Sequence, residues 1–290
     1  MTDAAPDPVA LSNPDGLFER SYNVASFSFA HELTENPLFD LQHLIEHSRL
    51  VVNPEFTYCS NGKVGVGDRW DASAGPRYSV QDTIANIAHN NSLVMLKRIE
   101  LQPTFAPLMS SLMARIMDLV GPRMRNDVIL GRGTLLIASP HRITSYHIDA
   151  DTNFLFQIAG DKSISVFDQT DRTLLSDQEL ERYYAGDGNG AAFKESRQQD
   201  ALTYDLRAGF GIHIPCMAPH WAQNGANPSV ALSVNFDLHS IARLARIYKL
   251  NHRLRRYGVK PVPPGGSVWR DRLKLASWKG LAATRGLLGK

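Results

Sequence analysis

Residues 144–162 read Thr144-Ser145-Tyr146-His147-Ile148-Asp149-Ala150-Asp151-Thr152-Asn153-Phe154-Leu155-Phe156-Gln157-Ile158-Ala159-Gly160-Asp161-Lys162. Two short segments of strand character, Ser145–Asp149 and Asn153–Ile158, are followed by a turn at Ala159-Gly160-Asp161. From Leu130 onward the same period continues through Leu135–Ser139, Ser163–Phe167, Gly211–Ile214, Ala218–Gln223 and Val230–Phe236. Many short strands without regularly alternating helices argue against a doubly wound sheet and for an antiparallel barrel or jelly roll.

Working outward, the segments on either side are helical. Leu38 to Ile45 has helical spacing, Val80 to Asn90 is a second helix, and Pro103 to Val120 is a stronger one. In the last, Phe105, Leu108, Met109, Leu112, Met113, Ile116, Met117 and Val120 recur at three and four residues, with Gly121-Pro122 closing the run. Its methionines read as core filler. Gly62, Gly65, Gly67 and Gly75 mark a loop-rich region between them. Ser176-Asp177-Gln178-Glu179 is a capping box opening a helix to about Tyr184, and the polar run from Gly186 to Asp200 is an insertion that either lines an entrance or crosses the surface. After Phe236 the pattern turns helical as far as Gly258. Pro261, Pro263 and Pro264 then stiffen a connector to a basic amphipathic segment, Val268 to Leu288. We therefore expect an N-terminal α+β cover over residues 1–129, a core over 130–237 and a basic helical extension over 238–290.

The net charge of +2 conceals an acidic body and a basic tail. Residues 241–290 hold thirteen Lys or Arg against Asp271 alone, leaving eighteen bases against twenty-eight acids before them. Such asymmetry fits an anionic partner or an oligomer joining tail to body. With 43% hydrophobic and 21% charged residues the chain is of ordinary globular composition. Cys59 and Cys216 are its two cysteines, too few for a disulfide scaffold. No apolar run reaches the roughly twenty residues that span a bilayer, and no basic-then-apolar leader opens the sequence, so the expectation is a cytoplasmic enzyme.

The densest chemistry is His147-Ile148-Asp149, joined much later by Pro219-His220-Trp221. Residues two apart on a strand share a face, so His147 and Asp149 can point together into a barrel mouth while His220 approaches from an opposing strand. Two imidazoles and a carboxylate bind one face of a divalent ion and leave other positions open, the pattern of oxygen-activating iron(II). Zinc accepts the same donors, and the plain alternative is a polar core histidine beside a turn acid. Asp151 has the parity of Asp149 and is the rival carboxylate. Lys162, just past the glycine turn, can face inward with Ile164 and Val166 and pair with an anion, assisted by Thr144, or can be a solvated hairpin lysine.

The segment from His147 to Lys162 resembles the cupin-like JmjC oxygenases, the family that includes the asparaginyl hydroxylase acting on hypoxia-inducible factor. A second stretch, Gly209 to Asn224 with Pro215, Met217 and His220, resembles the family's second cupin motif, Met217 standing where a glycine is common. The resemblance implies a double-stranded β-helix with Fe(II) on His147, Asp149 and His220. It further implies 2-oxoglutarate as co-substrate, held by Lys162 and Thr144, with Asn153 and Asn235 at further polar positions of the cofactor site. It implies dioxygen as the oxidant, a protein, peptide or amino-acid substrate, and in some relatives a homodimer through C-terminal helices. A small-molecule hydroxylase would use the same centre, a zinc hydrolase or isomerase would need neither 2-oxoglutarate nor oxygen, and a binding or regulatory protein would turn over nothing. No zinc finger or reading helix accompanies the basic tail, which argues against nucleic acid; Trp221 is read as packing or as a pocket wall.

Overall fold

The computed structural model describes residues 9–51, 53–70, 75 and 77–277. Eleven strands make two antiparallel sheets. In chain order they are β1 (Phe27–Ala30), β2 (Thr57–Asn61), β3 (Ser92–Lys97), β4 (Val128–Ala138), β5 (Ile143–His147), β6 (Thr152–Ala159), β7 (Asp161–Val166), β8 (Leu202–Arg207), β9 (Phe210–Ile214), β10 (His220–Asn224) and β11 (Ser229–Leu238). The larger sheet runs β1-β9-β6-β11-β4-β3-β2 and the smaller β5-β10-β7-β8. From β4 to β11 the chain passes repeatedly between the two sheets, the winding of a double-stranded β-helix.

Helices α1 (Leu17–Ser21), α2 (Leu41–Leu50), α3 (Val80–Ala85), α4 (Ala106–Val120) and α5 (Pro122–Arg125) precede β4; α6 (Asp177–Ala185) lies between β7 and β8, and α7 (His239–Arg256) follows β11. The amphipathic stripe of α4 is buried as its spacing predicts, with Phe105 before it and Met109, Leu112, Ile116 and Val120 in the core. It lies so close to β4 that a Cβ on Gly133 would stand 2.6 Å from Met109 Cε. The capping box on α6 is present, Ser176 accepting from the Glu179 N–H and Glu179 from the Ser176 N–H. Tyr184 of α6 stacks on Tyr248 of α7 at 5.6 Å, and Arg255 caps the buried Glu181 at 2.5 Å. Residues 268–277 are helical; the rest of the predicted basic segment lies outside the described residues. No described helix is long and apolar enough to cross a membrane.

In the N-terminal region β1, β2 and β3 extend the larger sheet. Other expectations are corrected. The helix from Val80 stops at Ala85 rather than Asn90, because Asn86 leaves helical geometry. β8 carries no clear alternation, Leu202 being 60% exposed, and was not expected. β3 was missed for the opposite reason: its apolar run Leu93 to Leu96 is covered on both faces and shows no period two.

β6 shows how one strand serves two layers. Phe154, Phe156 and Ile158 pack outward into the aromatic cluster with Phe18, Phe27 and Phe29, where Phe18 stacks on Phe154 at 5.7 Å. Leu155, alternating with them, faces the second sheet among Ile164, Val166 and Ile212, and Asn153 lines the cavity there. The chain then crosses between sheets at Gly160, whose φ is +70° and where a Cβ would meet the Pro228 carbonyl oxygen at 2.4 Å. Only glycine fits both constraints. Gly160→Ala is expected to lower stability by at least about 1–3 kcal/mol, read as a lower urea midpoint at unchanged slope; an unchanged midpoint would show that the corner relaxes.

Candidate metal centre

Two strand ends and one turn build the centre. β5 and β10 pair with His147 opposite His220, and Thr144 opposite Ala222. Between these pairs Ser145 and Tyr146 face Trp221 alone, so the strand bulges and its alternation shifts by one. The bulge brings Thr144 and His147, three apart, onto the same inner face, and both line the cavity. Asp149 does not owe its direction to strand parity, as expected from sequence, because β5 ends at His147. It sits in the following turn, its carbonyl accepting from the Met217 N–H at 2.7 Å. Met217 has φ +60°, a left-handed backbone that favours glycine.

His147 Nε2 lies 3.6 Å and His220 Nε2 3.7 Å from Asp149 Oδ2, with the two rings 4.2 Å apart. These three residues are the one group of potential metal ligands among the described residues, their donor atoms all within 4.8 Å. Each imidazole donates its Nδ1–H to a backbone carbonyl, His147 to Ser145 at 2.7 Å and His220 to Ala218 at 2.9 Å. That fixes the tautomer and aims both Nε2 lone pairs at the carboxylate side. Burial alone would raise Asp149, but His147 and His220 hold it ionised, down at about 2. Burial, then the neighbouring His147, pushes His220 down to about 4; burial also opposes charge on His147, which Asp149 outweighs to raise it. Side-chain exposure rises from 8% at His220 to 34% at Asp149, so the cluster opens on the carboxylate side. The donor set fits a divalent ion with exchangeable positions.

The cluster opens into a cavity of about 600 Å³. Thr144, Asn153, Lys162 and Asn235 all line it, as do Arg132, Trp70 and Tyr183. Lys162 is 8% exposed, pairs with no acid among the described residues, and is drawn down to about 8 by burial. A buried ammonium without a counter-charge is a site for an anion. Asn153 and Asn235 are directly opposite across β6 and β11, bridged by the Ser233 hydroxyl at 3.2 and 2.6 Å.

The other candidates fall elsewhere. Asp151 turns to Arg132 at 3.2 Å, a guanidinium it shares with Asp237 at 2.6 Å. Burial and then the Asp149 charge raise Asp151 to about 7, against the pull of Arg132. His213 is buried in the aromatic cluster, accepting from the Asn23 N–H and bonded to the Asn153 carbonyl. Trp221 faces away from the centre, packing with the Tyr146, Phe167 and Leu174 cluster and donating to Gln198 at 3.0 Å.

Sequence reading missed Trp70, whose ring lies 5.3 Å from His147 and stacks on Tyr58. The Trp70 backbone N–H donates to Asn189 Oδ1 at 2.6 Å, tying the glycine-rich loop to the insertion after α6, and Gly188 of that insertion lines the cavity. The insertion therefore borders the entrance.

No protein-family model matches the sequence, and no curated protein matches it. Solved structures do. The X-ray structure of YcfD from E. coli aligns at TM-score 0.56 with 14% identity, over 94% of this chain and 68% of that one. The fold is the cupin/JmjC-like double-stranded β-helix. A second structure, YcfD described as a ribosomal oxygenase from Escherichia coli in complex with cobalt and 2-oxoglutarate, aligns at 0.54 with 15% identity, over 93% of this chain and 67% of that one. The chain thus spans about two thirds of the length of these structures, with helices flanking the β-helix core on both sides.

Proposed function

We propose that this chain is an iron(II)- and 2-oxoglutarate-dependent oxygenase of JmjC type that hydroxylates an amino-acid side chain in a protein or peptide, with residues 130–237 as its catalytic core. The observation that carries the reading is the pairing, in one cavity, of an open two-histidine, one-carboxylate cluster with a buried lysine that has no counter-ion among the described residues. The fold supports it. That a structural neighbour is described as a ribosomal oxygenase, and was solved with 2-oxoglutarate, supports a protein substrate.

His147, Asp149 and His220 would hold the metal. Lys162 and the Thr144 hydroxyl would bind the far carboxylate of 2-oxoglutarate, a charge-assisted contact in a site of low polarity. Asn153, Ser233 and Asn235 form a hydrogen-bonded ledge that orients polar groups beside the metal. When bound, iron(II) supplies the redox chemistry by which dioxygen and 2-oxoglutarate become succinate and carbon dioxide with one oxygen atom inserted into a C–H bond. The protein's share is positioning: it fixes both ends of the keto acid and leaves the Asp149 side of the cluster open.

The test is to load the protein anaerobically with iron(II) and 2-oxoglutarate, admit oxygen, and measure succinate while a panel of peptides and amino acids is screened for a mass gain of one oxygen atom. We expect succinate only when iron, 2-oxoglutarate and oxygen are all present. Turnover of any substrate that persists without 2-oxoglutarate and oxygen would instead support a zinc hydrolase.

A further inference from the structure

The cavity carries a second cation that no acid pairs with among the described residues, on the wall away from Lys162. Lys97 ends β3, whose register places it beside Thr134 and places Met95 beside Leu136; all four line the cavity. The next residue on a strand would face away. Arg98 does not, because its backbone is left-handed at φ +61°, an uncommon state for a residue other than glycine, and its side chain joins the same wall.

Three of the four cations lining the cavity are accounted for. Arg98 is held by Glu100 at 2.5 Å and lies over the Phe56 ring, Arg132 is shared by Asp151 and Asp237, and Lys162 is assigned to 2-oxoglutarate. Lys97 remains, half-buried, and no acid among the described residues pairs with it. Its wall adjoins the metal cluster: Met95 pairs with Tyr58, Tyr58 stacks on Trp70, and Trp70 borders His147. Glu55 also lines the cavity but forms no ion pair with Lys97, and an ammonium on a wall that carries Phe56, Trp70 and Met95 attracts an anion more strongly than one in open solvent.

We propose that Lys97 is a specificity-determining residue that binds a carboxylate of the substrate near the carbon to be oxidised, so that the substrate class is acidic peptides or other carboxylate-bearing amino-acid substrates. The proposal rests on the oxygenase reading above. Lys162 and Lys97 then divide the cavity, the first holding the co-substrate and the second the substrate.

The experiment compares, in the iron- and 2-oxoglutarate-loaded full chain, peptides identical except for Asp, Asn or Lys flanking a varied central residue, with a free or amidated terminus and with free amino acids as separate arms. Succinate and the oxygen mass gain are both read. We expect kcat/KM to favour the Asp-flanked or free-carboxylate member over its amide by about tenfold or more, K97M to bring that ratio near one, and K97E to shift preference to the Lys-flanked peptide. A ratio within one protein cancels any general loss of activity, and a purely structural lysine would not invert it. Succinate formation with no preference for the carboxylate, a preference K97M retains, or oxidation of none of these substrates would overturn the role of Lys97 while leaving the oxygenase reading intact. No succinate in any mixture would overturn both.

Discussion

Asp149→Ala is expected to lower iron affinity and iron-dependent succinate formation by more than about 100-fold, since changes to groups merely supporting a ligand already cost 10–100-fold. Asp149 is the one anion in the cluster, and without it two imidazoles offer a dication no charge. The variant keeps the turn, because the contact to the Met217 N–H is made by the Asp149 backbone carbonyl. Loss of folding and loss of metal are therefore separable: circular dichroism should match the unsubstituted protein while metal retention on dialysis fails. Retained iron and succinate formation would remove Asp149 from the site.

Lys162→Met is expected to act in opposite directions on binding and on stability. Removing one partner of a buried charge pair costs about 2–5 kcal/mol, which corresponds to a loss of 2-oxoglutarate affinity of roughly 30- to 5,000-fold. Without 2-oxoglutarate the same substitution should stabilise the protein at neutral pH, because it removes a buried, uncompensated ammonium. The pH dependence has a definite sign. Burial lowers Lys162 from 10.5 to about 8 in the folded state, so between those values the unfolded chain holds the extra proton and stability rises with pH. Below about 8 that contribution is lost, and there the methionine variant gains most. Affinity for 2-oxoglutarate runs the other way, falling as pH climbs above about 8 and the empty site loses its charge. Thermal melts and anaerobic titrations from pH 6.5 to 9.5 read both; parallel behaviour of variant and parent would place Lys162 outside the anion site.

What could be read from the sequence follows the range of the interactions involved. His147, Asp149 and Lys162 lie within sixteen residues of one another, on one strand, its turn and the next strand but one, so local spacing and a turn glycine carry them. Even there parity misled, because Asp149 lies beyond the strand and the β5 bulge, set by pairing with β10, decides that Thr144 faces inward. Trp70, Lys97 and Arg132 were out of reach. They join the cavity through the β2-β3-β4 pairing and a loop contact spanning 119 residues, and no local period marks such contacts. A signal for Trp70 did exist, a large aromatic in a glycine-rich loop, but only the folded sheet says which way it points. Trp221 was within reach: adjacency to His220 on a strand means the opposite face, and there it packs, one of the two readings its position allowed.

A structure of the full chain grown under nitrogen with cobalt(II) and 2-oxoglutarate would test the central claim most directly. One ion is expected on His147 Nε2, Asp149 and His220 Nε2, with the keto acid running from it to the Lys162 ammonium. An ion held by other side chains, or a keto acid bound away from Lys162, would contradict that claim.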